Sequence, residues 1–264
     1  MSSPTVFTHA NGFPSGTYKQ LFQAWRAAGW RVSAPAMLGH DPRYEVSSSW
    51  PHLRDELIEF IAADAPQGAH LVGHSLGGLL SLLVACRRPE LVKGLVLLDS
   101  PVITGWRAHS VHALKLSGLI KRVSPGKVSR SRRQEWANRR EAHDHCAAKS
   151  KFARWAPGVL DVYIGCGTVR RGGRTVLAFD RTVGTHIYNT LPHHFGRLLK
   201  RHPPRCPVGF VSGQRSNEMR VGGLSATTAL VGNRLRWIDG THLYPMEKPA
   251  QTAALVLELL GGMA

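Results

Sequence analysis

The stretch Gly73-His74-Ser75-Leu76-Gly77-Gly78 sets a hydroxyl among small residues, between an apolar run, AHLVG, and a helix-forming run, LLSLLVACRR. A strand that turns sharply into a helix has no space for a Cβ two residues before or after its apex, so glycines there leave the central side chain projecting. An exposed serine can act as a nucleophile if a neighbour takes its proton. A helix start also supplies unpaired N–H groups and a positive dipole end, which makes the backbone N–H of Leu76 the expected donor to a developing oxyanion. Imidazole is the base suited to near-neutral pH, and 14 histidines are available. His242 is preferred: it follows the run LRWID, lies on a loop beside Gly240 and precedes the last helical stretch, which returns it to the edge carrying Ser75. His74 must point away from its sequence neighbour and is read as packing, and His9 as support for its own loop.

These groups need a scaffold, and the chain alternates strand and helix signals in the order that builds one. Thr5 to His9, Trp30 to Ala34, Ala69 to Gly73 and Lys93 to Leu98 read as strands, the last a near-continuous apolar run of the kind buried on both faces of a parallel sheet. Between them Tyr18, Leu21, Phe22 and Trp25 fall at helical spacing behind a Ser15 cap, and Leu53, Leu57, Ile58 and Ile61 do so behind Ser49 and Pro51. Right-handed βαβ crossovers and a parallel sheet follow. The alternation stops at Pro101 and resumes with strands at Pro207 to Ser212 and Leu235 to Asp239 and a helix from Pro249 to Leu260. The hundred residues between are Arg-rich, with helical stretches such as Val111 to Ile120 and no clear strand period. Residues 1–103 and 205–264 are thus expected to form one core, with 104–204 as a helical cap inserted before the last two strands.

GHSLGG, the loop HANGFP and the late segment GTHLYPMEKP, with His242, Glu247 and Pro249 at H-x-x-x-x-E-x-P spacing, resemble the nucleophile elbow, oxyanion loop and histidine loop of the α/β-hydrolase superfamily. The resemblance covers the two core portions, and the insertion is similar to a family cap only in position and length. It implies an α/β-hydrolase fold, here with about six strands, because the two strands that members usually place before the oxyanion-loop strand have only Met1 to Pro4 in their stead; plant hydroxynitrile lyases and related small esterases look similar. It also implies that the second oxyanion donor is the backbone N–H of Asn11, with Gly12 as a close alternative since HANGFP carries one residue more than the common form. Members most often carry the acid as aspartate in a G-x-x-D turn; this chain has Gly213-Gln214-Arg215-Ser216, with serine at the aspartate position and Glu218 two residues on. Asp99, at the end of the strand before the insertion, is the other candidate. It is favoured because a carboxylate ending a buried strand is costly without a partner, which His242 would provide. Glu218 stays open as the alternative acid.

The formal charge of +17 is unevenly distributed: Pro101 to Arg205 holds 21 Lys/Arg and 5 Asp/Glu, leaving 13 basic and 12 acidic residues elsewhere. A field of one sign can steer anions to a nearby cleft, and Arg132, Arg133, Arg139 and Arg140 are the residues expected to do so if they face it. The basic stretch matches no DNA-binding motif and lacks the aromatic interleaving of a single-strand binder, so no nucleic-acid partner is expected. Cys86, Cys146, Cys166 and Cys206 show no CxxC spacing and read as reduced thiols. His109-x-x-His112, His143 to Cys146 and His193-His194 have metal-compatible spacings without matching partners, so no metal and no cofactor is expected. Neither a leader nor an eighteen-residue apolar run is apparent, and a cytoplasmic location follows as an expectation. Together the motifs suggest a serine hydrolase that cleaves a small-molecule carboxylic ester, carboxylesterase- or lipase-like, with an anionic substrate as an option. A thioesterase acting on anionic carrier thioesters and a non-catalytic binding protein on the same scaffold are the alternatives. Oligomeric state is left open.

Overall fold

A computed structural model describes residues 4–263; the reading of Met1 to Ser3 lies outside the described residues. Six strands, β1 (Thr5–Thr8), β2 (Val32–Ser33), β3 (Ala69–His74), β4 (Val92–Leu98), β8 (Val208–Gly213) and β9 (Leu235–Ile238), form one parallel sheet in the order β2-β1-β3-β4-β8-β9, and a second, three-stranded sheet lies between β4 and β8 in the chain. The central strands alternate their side chains between two apolar layers. Val72, Val96, Leu98 and Val211 face the layer closed by helix α1 (Lys19–Ala27) and the last helix, Pro249–Gly261, while Leu71, Leu95, Leu97 and Phe210 face helices α2 (Pro51–Asp64) and α3 (Leu76–Arg87). Helix α3 is apolar around its circumference and buried along most of its length, as a helix enclosed between a sheet and a second helix must be. The strands end at one edge, the carboxyl edge, where open α/β sheets bind ligands.

The segment between β4 and β8 departs from an all-helical reading. It includes helices at Gly105–Leu116, Arg139–Ala147, Val159–Gly167 and Arg181–Asn189, but also an antiparallel sheet, β5 (Glu135–Trp136), β6 (Thr168–Arg171) and β7 (Arg174–Leu177), in the order β5-β7-β6. Gly172 and Gly173, both at positive φ (56° and 75°), make the two-residue turn between β6 and β7, the Gly-Gly hairpin signal that the run TVRRGGRTVL carries in sequence. This segment shares the core rather than sitting apart from it. Phe13, just past β1, packs its ring 5.9 Å from Trp155 and 5.7 Å from Tyr163, and the Trp50 indole N–H donates to the Ile187 carbonyl.

Two local expectations are corrected. Ser15 does not cap a helix; its hydroxyl donates to the Pro35 carbonyl, and a short 3-10 turn, Ser15–Tyr18, leads into α1. The strand expected over Trp30 to Ala34 is only Val32–Ser33, an edge strand paired on one side.

Candidate active site

Ser75 stands between β3 and α3 with φ 54° and ψ −114°, a backbone conformation that a non-glycine residue holds only when its surroundings over-determine it. They do so here. A Cβ on Gly73 would collide with the backbone of Gly77 and Gly78, and one on Gly77 with the Thr8 carbonyl, so the elbow closes only because these positions are glycine. The Ser75 N–H also donates to the Leu98 carbonyl at 2.9 Å, which ties the turn to β4.

Asp99 follows β4, is fully buried and again has positive φ, 48°. Its Oδ1 accepts from the Gly213 N–H at 2.8 Å. Its Oδ2 accepts from the Ser216 hydroxyl and lies 2.7 Å from His242 Nδ1. Because a carboxylate can only accept, Nδ1 carries the proton, which leaves Nε2 unprotonated and 3.0 Å from Ser75 Oγ. The three side chains therefore form one hydrogen-bonded line. Burial disfavours the imidazolium, but the hydrogen bond to Asp99, its charge and that of Glu218 outweigh burial and raise the His242 pKa above its ordinary value. Glu218 Oε2 lies 3.8 Å from the same nitrogen, and its side chain is 47% exposed.

The sequence reading missed the residues that hold this line. Ser216, at the position where an aspartate was sought, caps the helix Asn217–Gly222 and donates to the aspartate that comes from β4 instead. His74 is buried between two loops: its Nε2–H donates to the His242 carbonyl at 2.8 Å and its Nδ1 accepts from the Tyr18 hydroxyl at 2.7 Å. Tyr18 Oη in turn accepts from the Ala10 N–H at 3.2 Å, so one chain of bonds joins the loop after β1 to the loop bearing His242. His9 fixes the first of these loops, donating from Nδ1 to the Ala10 carbonyl and accepting the Leu38 N–H on Nε2.

Asn11 is buried and lines the same cleft as His242, and its side-chain amide donates to the Gly184 carbonyl at 2.8 Å. Leu76 is the first residue of α3, where backbone N–H groups have no intrahelical partner. The cleft has a volume of about 340 Å³ and lies between the loop after β1, the loop bearing His242 and the segment between β4 and β8. Of the four arginines that would steer anions if they faced it, Arg132 lines the cleft and the other three do not. Arg133 pairs with Glu141, and Arg139 and Arg140 line a separate groove beside β6. Tyr188 also lines the cleft, whereas Trp136 and Trp155 are packed in the core and Trp106 is exposed.

Asp99, Glu218 and His242 offer ligand atoms within 4.8 Å of one another, yet a cation there would have to replace the proton between His242 Nδ1 and Asp99 Oδ2 and compete with the Ser216 hydroxyl for the same oxygen. The histidine pairs, treated as unpartnered in sequence, do meet: His109, His112, His193 and His194 line a groove of about 870 Å³ away from Ser75, and the His112 and His193 rings stack at 4.3 Å. Among the described residues their nitrogens do not complete a set of three ligands. All four thiols are free. No described helix is long and apolar enough to cross a membrane.

The pattern of the alpha/beta hydrolase family matches residues 5–255, and the chain belongs to that family. It is 30% identical over 125 residues to the monoglyceride lipase of Mus musculus, covering 45% of this chain and 41% of that one. It is 36% identical over 97 residues to the probable esterase PIR7A of Oryza sativa subsp. indica, covering 35% and 37%. The matched stretches thus span about two fifths of those relatives' length. Among solved structures, E-2-(acetamidomethylene)succinate hydrolase superimposes with a TM-score of 0.75 at 17% identity over 98% of this chain and 91% of that chain. The thioesterase domain from the curacin biosynthetic pathway does so with 0.72 at 20% identity over 97% and 91%. At these identities the likeness is one of fold.

Proposed function

We propose that the protein is a serine hydrolase that cleaves a carboxylic ester through an acyl-enzyme, with Ser75 as nucleophile, His242 as base and Asp99 as the orienting acid. The observation that carries this reading is the line Asp99 Oδ2, His242 Nδ1, His242 Nε2, Ser75 Oγ, with contacts of 2.7 and 3.0 Å. Ser75 Oγ attacks the ester carbonyl carbon as its proton passes to His242 Nε2, and the carbonyl π electrons move onto oxygen. The backbone N–H groups of Leu76 and Asn11 hold that oxyanion, each such donor being worth about 3 kcal/mol. When the oxyanion collapses, the alkoxide leaves with the proton from His242 and the acyl group stays on Ser75. Water then attacks by the same route, releasing the acid and restoring the serine. Asp99 keeps the imidazole in the tautomer this needs and stabilises the transient imidazolium. Glu218 is too exposed and too distant for that role and is read as a charge at the cleft mouth. Residues 104–204 act as a cap over a core made of 1–103 and 205–264.

Thioester cleavage on an anionic carrier is the second reading, favoured by the cationic lining of the cleft. A fluorophosphonate probe mapped by mass spectrometry should mark Ser75, and a p-nitrophenyl ester series run beside acyl-CoA substrates separates the two readings. Labelling at another serine, or unchanged turnover in Ser75→Ala, would overturn both.

A further inference from the structure

Three cations line the cleft without an ion-pair partner, although the Glu218 carboxylate, 3.8 Å from His242 Nδ1, stands on the same lining. Arg132, Lys151 and Arg154 line it together with Asn11, Phe13 and His242, and none of the three makes an ion pair among the described residues. Arg215, also at the cleft, differs in being paired with Asp239. The Lys151 ammonium is half-buried over the rings of Phe152, at 4.9 Å, and Phe13, at 6.0 Å. Burial pushes it down to about 8, the like charges of Arg132 and Lys149 push the same way, and the Cys146 thiol opposes them. Arg132 spends one N–H on the Gly12 carbonyl at 3.1 Å, which seats its guanidinium against the oxyanion loop. A half-buried cation with no ion-pair partner in contact, as Lys151 is, gains from an anion that enters the cleft.

We propose that Lys151, Arg132 and Arg154 bind an anionic group of the substrate, so that the preferred ester carries a carboxylate or phosphate close to the scissile bond. This rests on Ser75 being the nucleophile, its Oγ 3.0 Å from the His242 that lines the cleft. A volume of about 340 Å³, at the small end for ligand pockets, favours a compact acid such as a half-ester of a dicarboxylic acid. Arg132 and Lys151 are half-buried, so salt screens them less than the charges on the outer surface, and Arg154 stands exposed at the rim of the same cleft.

The test compares mono-p-nitrophenyl glutarate with p-nitrophenyl valerate, which share chain length and leaving group and differ by one carboxylate. Wild-type kcat/KM should favour the glutarate half-ester by about tenfold or more, as charge-assisted hydrogen bonds allow, with the difference mainly in KM. Lys151→Met should cut that ratio to below about threefold, Lys151→Arg should restore it, and Arg154→Gln, a change at an exposed side chain, should lower it without a folding defect. Free glutarate and inorganic phosphate as competitors against valerate hydrolysis distinguish a carboxylate site from a phosphate site. Equal kcat/KM for the two esters with Ser75 still labelled by fluorophosphonate overturns the anion site and leaves the hydrolase reading standing. A preference that survives in both Lys151→Met and Arg154→Gln overturns the assignment to these residues. If Ser75 is not labelled and neither ester turns over, the hydrolase reading falls. Calorimetric titration of Ser75→Ala with the two esters then decides the anion site alone: tighter glutarate binding that Lys151→Met abolishes supports it, and equal binding overturns it.

Discussion

The carboxyl edge of the sheet and the segment between β4 and β8 place charge in opposite ways. At the edge, Asp99 is fully buried and its carboxylate has three donors, from Gly213, Ser216 and His242, while Ser75 and Asp99 both sit at positive φ on strand ends that cannot shift. In the segment, most charged side chains are exposed, and several are paired with one another, as Arg133 is with Glu141 and Arg174 with Glu135. A few unpaired cations turn inward where the segment meets the oxyanion loop. The comparison teaches that chemistry is built where packing leaves one geometry, and selectivity where a surface-rich segment can offer or withhold a charge.

If that division holds, substitutions at the edge should cost orders of magnitude and substitutions in the segment should change only which ester is preferred. The largest effect is expected from Ser75→Ala, which removes the acyl acceptor and should lower ester turnover by about 10⁶ in a protein with unchanged circular dichroism and melting temperature. Residual activity near wild type would break the comparison at its centre. Asp99→Asn should lower kcat by about 10⁴, against less than about tenfold for Glu218→Gln, as measured with a neutral p-nitrophenyl ester; the reverse order would move the acid to the cleft mouth.

The pH profile tests the same line. His242 must be unprotonated to act, so kcat/KM should fall as pH drops through its pKa, and Asp99 and Glu218 place that limb above the ordinary histidine value of 6.5. Asp99→Asn should move the limb to lower pH. Ser216→Ala removes one donor from the buried carboxylate and should cost about tenfold, with the limb displaced to higher pH because the less stabilised carboxylate attracts the imidazolium more strongly. An unmoved limb would mean that Ser216 only caps its helix. The smallest effect belongs to Arg139→Gln with Arg140→Gln, which lie in a separate groove. Their combined effect on the preference between charged and neutral esters should stay below about twofold at 0.1 M salt, where charges beyond about 10 Å are screened.

Much of the edge was legible in sequence because local rules specify it. Glycines at 73 and 77 can be read as required by a tight strand-to-helix turn, the apolar run of β3 as a strand, and that of β4 as a strand buried on both faces. Ser216 was legible only as an absence, since a helix cap and a donor to a distant carboxylate look alike in one dimension. The hairpin of β6 and β7 had a Gly-Gly signal, yet its three arginines hid the alternation, and β6 is largely exposed and needs no apolar face.

The sequence by itself determined the parallel sheet, the elbow and the candidate serine, histidine and acids, because strand periodicity, glycine sterics and side-chain chemistry act over a few residues. Only the tertiary structure decided which acid stands 2.7 Å from His242, that His74 and Tyr18 tie the loop after β1 to the loop bearing His242, and that Arg132, Lys151 and Arg154 rather than Arg139 and Arg140 line the cleft. The physical reason is that a charge acts over ångströms of space, while residues 99 and 242, or 12 and 132, are far apart along the chain and meet only when the two sides of the sheet close on their cores.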